Sequence, residues 1–186
     1  LSKAANIRKN SNGEYAILGI PYAQYLKGEF DFAKNIRIDY RNSFAFHAGV
    51  GIAVPYGNAK TIPFEKQYFS GGANSVRGWS VRDLGPGSFA GNGNLLDQSG
   101  DIKLDASIEY RNKLFWKFQG AVFIDAGNIW TIRSYANQPG GGFKFDRFYK
   151  QIAVAYGLGL RLDLDFFILR FDGGMKAVNP AHETRK

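Results

Sequence analysis

Few side chains in this sequence could do bond chemistry. It holds two histidines, His47 and His182, and no cysteine, so a zinc or other metal site, which needs three or four such ligands, lacks them. A serine nucleophile would have to recruit His47 with Ser43 or Ser107, and no nucleophile motif surrounds either serine. Gly85-Pro86-Gly87 and Gly91-Asn92-Gly93 do not lead into a helix, so they do not read as phosphate cradles. The expectation is a protein that is not an enzyme, with no metal and no cofactor. One cation stands out instead: Arg77, within Gly71-Gly72-Ala73-Asn74-Ser75-Val76-Arg77-Gly78-Trp79. A guanidinium is planar, binds two acceptors at once and never loses its proton, so in a flexible glycine-rich setting it suits a latch better than a catalyst.

The elements around Arg77 read as strands. From 101 to 111 the residues alternate, with Ile102, Leu104, Ala106, Ile108 and Tyr110 on one face and Lys103, Asp105, Ser107, Glu109 and Arg111 on the other. From 116 to 130, Trp116, Phe118, Gly120, Val122, Ile124 and Ala126 share a row opposite Lys117, Gln119 and Asp125. The same period of two marks 43–54, 151–163 and 166–172, and a less regular strand from about Ile17 to Asp31. Glu109 and Asp125 therefore both lie in polar rows.

Length favours a membrane sheet. A tilted strand needs about 9 to 11 residues to cross the hydrocarbon, whereas a soluble strand averages about 5 or 6. The apolar rows carry no charge through their middles, as a lipid face requires, since a charge there costs roughly 2 to 4 kcal/mol. Trp116 and Trp130 bracket one row about 30 Å apart along the membrane normal, where interfacial aromatic girdles belong. Parity alone does not tell which face is wet, so a soluble barrel or sandwich with its apolar rows inward stays open.

Composition agrees with strands and tight turns: 16% of residues are aromatic and 23 are glycine. No apolar run is long enough for a membrane-crossing helix, while alternating strands average to the mildly negative mean hydropathy of this chain. The net charge of +8 is interleaved with acids along the sequence, which argues against nucleic acid as a partner. Connections alternate between short, near 112–115 and 163–165, and long, 57–100 and 132–149, as in a barrel with short periplasmic turns and long outer loops. No linker marks a second domain.

Val76-Arg77-Gly78-Trp79 resembles the Val-Arg-Gly-aromatic motif in the sixth outer loop of the BamA/TamA family of outer-membrane insertases and translocases. The flanks Phe69-Ser70-Gly71-Gly72 and Asp83-Leu84-Gly85-Pro86-Gly87, and Phe123-Ile124-Asp125-Ala126-Gly127-Asn128 downstream, are similar too. The resemblance covers about Tyr22 to Met175. It implies an all-β fold: part of an antiparallel transmembrane β-barrel, about six strands of the carboxyl-terminal half, with loop 57–100 folded inward. One barrel domain over 1–186, without periplasmic modules, is expected. The family barrel has sixteen strands, and the polar ending Asn179 to Lys186 lacks a terminal strand, so a partial barrel without its seam is expected. The resemblance further implies that Arg77 reaches into the lumen and pairs with Glu109 and Asp125. It places the chain in the outer membrane of a Gram-negative bacterium, helping to insert or translocate β-barrel proteins. The partners it implies are outer-membrane lipids, unfolded β-barrel clients, and accessory lipoproteins or an inner-membrane partner reached through periplasmic modules. A passive porin, or an outer-membrane lipase, is the competing reading.

Overall fold

The structure, a computed structural model, describes residues 7–9, 13–17 and 20–181. His182 and the rest of the polar ending lie outside the described residues. Among those described, three short strands, β1 (Ile7–Lys9), β2 (Tyr15–Ile17) and β3 (Ile20–Pro21), form a small sheet. The remaining six strands form one antiparallel sheet in chain order: β4 (Gln24–Arg37), β5 (Asn42–Tyr56), β6 (Ile102–Lys113), β7 (Phe118–Trp130), β8 (Ala153–Asp163) and β9 (Ile168–Val178). Each has 11 to 15 residues, the length that spans a bilayer when tilted.

The outer face carries the apolar rows. Leu26, Phe30, Val50, Ile52, Ile108, Val122, Ile124, Leu158 and Phe171 are all exposed, an arrangement that water would penalise and lipid favours. The inner face carries the polar rows, and the register stacks them into tiers. Ser107, Asp125, Ala155 and Lys176 form one tier, Glu109, Phe123, Gly157 and Gly174 the next, and Arg111, Ala121, Gly159 and Asp172 the third. Three short turns lie at one end of the sheet, spanning 38–41, 114–117 and 164–167. In the first of them Asp39 Oδ1 accepts from the amides of Arg41 and Asn42 at 2.7 and 2.8 Å, a local bond that fixes the reversal. The loops 57–101 and 131–152 lie at the other end.

Several expectations are corrected here. The irregular strand expected from Ile17 to Asp31 divides: Ile17 ends β2, while β4 runs from Gln24 to Arg37. Lys34 interrupts its outward row, which is why the pattern fades beyond Asp31. The last strand extends to Val178. Loop 57–101 is ordered, with short 3-10 turns at Phe64–Lys66 and Leu95–Asp97 and bridges from Tyr68 to Gly100 and from Ser70 to Leu84. Trp116 stands at a turn, 76% exposed, as a girdle residue should, but Trp130 is 0% exposed. Phe143 and Phe148 cover it edge-on at 5.7 and 6.3 Å, so the second long loop, not lipid, meets that ring.

Candidate loop-docking site on the inner wall

Loop 57–101 folds across the inner face of the sheet, and apolar contact holds it at two places, near its start and at its middle. Ile62 and Tyr68 pack with Ala53 and Ile129, and Val76, Trp79 and Leu84 pack with Ala153 and Ala155. Missing side chains make room for this. A β-carbon on Gly78 would stand 2.8 Å from that of Ala155, one on Gly174 would stand 2.5 Å from the Arg77 carbonyl oxygen, and one on Gly51 would meet the Tyr68 ring at 2.6 Å. Glycine at these positions lets the loop backbone lie against the strands.

Within the second anchor Arg77 points into the inner wall, its side chain only 6% exposed. Its Nε and Nη2 each donate to Asp125 at 2.8 Å, a two-pronged pairing with one carboxylate, and its backbone amide donates to the same group at 3.0 Å. Nη1 donates to Glu109 at 2.6 Å, and Nη2 to the Ser107 hydroxyl at 3.2 Å. The guanidinium lies flat on Phe123, with its carbon 3.4 Å from the ring centroid. Planarity is what permits both contacts at once: the edge serves the acids and the face serves the ring. The structure thus brings Arg77, Glu109 and Asp125 together, with Val76 and Trp79 buried beside them and Gly78 against β8 and β9.

Three residues not expected to meet Arg77 complete the group. Phe123 supplies the stacking face; Arg161 reaches Glu109 at 2.7 Å; and Asp172 meets Arg170 at 3.0 Å, Arg161 at 3.3 Å and Arg77 at 3.4 Å. With Arg111, 2.6 Å from Glu109, four guanidiniums face three carboxylates. Each of the three has the parity of an inward position. That was the available signal, and for Phe123 it was masked by an aromatic side chain in a polar row.

A second polar group lies further toward the long loops. His47 Nε2 is 2.9 Å from Asp31 and Nδ1 is 3.3 Å from Asp105, which Lys103 approaches at 2.9 Å. Both ring nitrogens thus meet carboxylates, and the Ser107 hydroxyl serves Arg77, an arrangement unlike that of a serine hydrolase. Just above β6, burial pushes the Asp101 carboxyl above its ordinary range, partly offset by the hydrogen bond it accepts from the Ile132 amide at 3.0 Å.

A sheet greasy outside and charged inside, with an outer loop bonded to its inner wall, defines a section of an outer-membrane-type β-barrel with a loop in its lumen. The chain belongs to the Omp85 superfamily, whose domain model matches residues 7–185. It is 35% identical over 95 residues to the outer membrane protein assembly factor BamA of Neisseria meningitidis serogroup B, a match covering 46% of this chain and 11% of that protein. Its fold is similar to that in the crystal structure of BamA from Haemophilus ducreyi lacking POTRA domains 1–3, with a TM-score of 0.65 at 20% identity over 83% of this chain and 32% of that one. The chain therefore spans a minor part of both proteins.

Proposed function

We propose that this chain is the barrel portion of an outer-membrane factor that helps insert or translocate β-barrel proteins in a Gram-negative bacterium, and that Arg77 is the latch holding loop 57–101 within the lumen. The observation that carries this is the burial of a loop cation against Asp125 and Glu109. A passive pore has no need of so many bonds to one loop residue. Fixing the loop stiffens β6 to β9, and stiff strands on one side leave deformation to the rest of the barrel. A weak lateral seam there, with local thinning of the bilayer, would let a client strand pair with unsatisfied edge amides that hydrocarbon makes costly. No bond chemistry is involved. Unfolded β-barrel clients and outer-membrane lipids are the partners, with periplasmic modules and accessory lipoproteins or an inner-membrane partner contributing elsewhere in the assembly.

The test is client insertion by the full-length protein carrying Arg77→Ala or Arg77→Lys, with protease sensitivity of the loop scored in parallel. Both variants are expected to insert clients more slowly and to expose the loop, alanine more than lysine. Unchanged insertion and unchanged cleavage in both would remove the latch. Large, steady conductance by the unaltered protein, without client insertion, would favour a porin.

A further inference from the structure

The segment 143–151, Phe-Lys-Phe-Asp-Arg-Phe-Tyr-Lys-Gln, plays no part in the latch. It is pinned to the outer face of the sheet. Trp130 has outward parity on β7; Phe143 and Phe148 pack on its ring, and its indole Nε1 donates to Gln151 at 2.9 Å. Phe118 stands at the short-turn end of the same strand. Twelve residues at about 3.3 Å each, tilted about 40°, climb roughly 30 Å, a little more than the roughly 25 Å height of a barrel's apolar band. Trp130 thus stands just beyond the far edge of that band, which puts the segment at the headgroup level of the outer leaflet.

Its remaining side chains suit that level and suit water poorly. Phe145 and Tyr149 are 85% and 59% exposed, while Lys144, Arg147 and Lys150, against the single acid Asp146, give residues 144–150 a charge of +2. Among the described residues Arg147 meets one carboxylate, Asp146, at 3.3 Å, and none pairs with Lys144 or Lys150. The three cations, with Ser134, Tyr135 and Gln138, line a cleft of about 490 Å³. Below it the outward row continues through Ile124, Tyr156 and Leu158. Cations around a polar cleft, exposed aromatics beside it and a greasy wall beneath call for a ligand that is anionic at one end and aliphatic at the other.

We infer that segment 143–151 binds the phosphate-bearing headgroup of an outer-leaflet lipid, with phosphate on Lys144, Arg147 and Lys150, Phe145 and Tyr149 in the interface, and acyl chains along Tyr156 and Leu158. This rests on the outer-membrane reading through the side assigned to the long loops. Each cation carries about a fivefold share of the affinity, so the three together carry about a hundredfold.

The experiment places the full-length protein in phosphatidylcholine nanodiscs doped with a bisphosphorylated disaccharide lipid or its dephosphorylated counterpart, and measures retained lipid by native mass spectrometry. The combined Lys144→Gln, Arg147→Gln and Lys150→Gln variant is expected to lose about a hundredfold in affinity for the phosphorylated lipid, while Lys144→Arg with Lys150→Arg retains it. The dephosphorylated lipid should bind all forms weakly, and inorganic phosphate should not displace the lipid at equal concentration. Equal retention by the unaltered and combined variants, equal binding of both lipids, or displacement by inorganic phosphate would overturn the inference. Heat-modifiable gel mobility reports folding; should the combined variant not fold, Arg147→Gln and Lys150→Gln singly must each lose about fivefold. Client insertion is scored on the same preparations. Lipid retention without insertion would remove the proposed function and leave the lipid seat; insertion without lipid retention would do the reverse.

Discussion

Replacing Arg77 by alanine removes a loop side chain bonded to Asp125, Glu109 and Ser107 at once, and the structure says what is left behind. Glu109 keeps Arg111 at 2.6 Å and Arg161 at 2.7 Å. Asp125, with 0% exposure, keeps only the backbone amide of residue 77. Arg77→Ala therefore orphans one buried carboxylate, not two, and strips the Phe123 ring of its cation. Breaking a buried pair from one side costs about 3 to 5 kcal/mol, and a stacked cation adds up to about 2 where desolvated. Because these losses overlap, about 4 kcal/mol is expected, roughly a thousandfold shift toward the undocked loop. Arg77→Lys keeps a charge but neither fork nor stacking plane, and about 2 kcal/mol is expected. Amide hydrogen exchange over 71–87 in the full-length protein measures the opening free energy directly. The orphan argument makes a sharper demand: adding Asp125→Asn to Arg77→Ala should cost little more, with a coupling of about 2 to 3 kcal/mol. Strict additivity in that cycle, or a loss below about 1 kcal/mol for Arg77→Ala, would refute the reasoning.

Three other outcomes are expected. Gly174→Ala, which drives a β-carbon to 2.5 Å from the Arg77 carbonyl oxygen, should raise protease cleavage of the loop although it removes no charge, whereas Gly173→Ala, whose nearest neighbour would lie 4.0 Å away, should leave cleavage unchanged. Phe123→Leu keeps an apolar side chain but no aromatic face, and exchange protection of the loop should fall by about 0.5 to 2 kcal/mol. Asp101 is held by burial above the ordinary aspartate value of 3.8, so the folded protein retains that proton to higher pH than the unfolded chain. Its contribution to stability is thus lost as pH rises through the raised value, and Asp101→Asn should increase thermal stability at pH 7 but not at pH 3, as read by heat-modifiable mobility across a pH series.

Much of the wall was legible in the residues because a lipid-facing strand must alternate. Ile102 to Tyr110 and Ile152 to Leu162 show this without interruption, and the structure turns those rows outward. Glu109 and Asp125 could be placed in the inward rows by parity alone, but their meeting with Arg77 could not, because the pairing spans 32 and 48 residues and no periodicity reports such distances. That expectation came from the family resemblance. Phe123, Arg161 and Asp172 were hidden for a related reason: their importance lies in tiers across four strands, which only the register reveals. Trp130 misled because an outward aromatic at a strand end reads as a girdle residue, and nothing local says that Phe143 and Phe148 will cover it. Strand β4 blurred where Lys34 enters its outward row near the short turns, where a long cation can reach water.

The arginine's distance from its partners along the chain bears on how this wall is made. Asp172 lies 95 residues beyond Arg77, and Asp125 and Glu109 sit on two other strands, so the guanidinium finds all three only once β6, β7 and β9 stand in register around β8. On its inner side β8 offers Ala153, Ala155, Gly157, Gly159 and the like-charged Arg161, none of which accepts a hydrogen bond from the guanidinium. The full set of bonds therefore needs a registered wall, and a misregistered hairpin would leave the cation without some of its acceptors. The bonds made by Arg77 thus tie the geometry of the loop to the register of the strands, being complete only where the wall is assembled correctly.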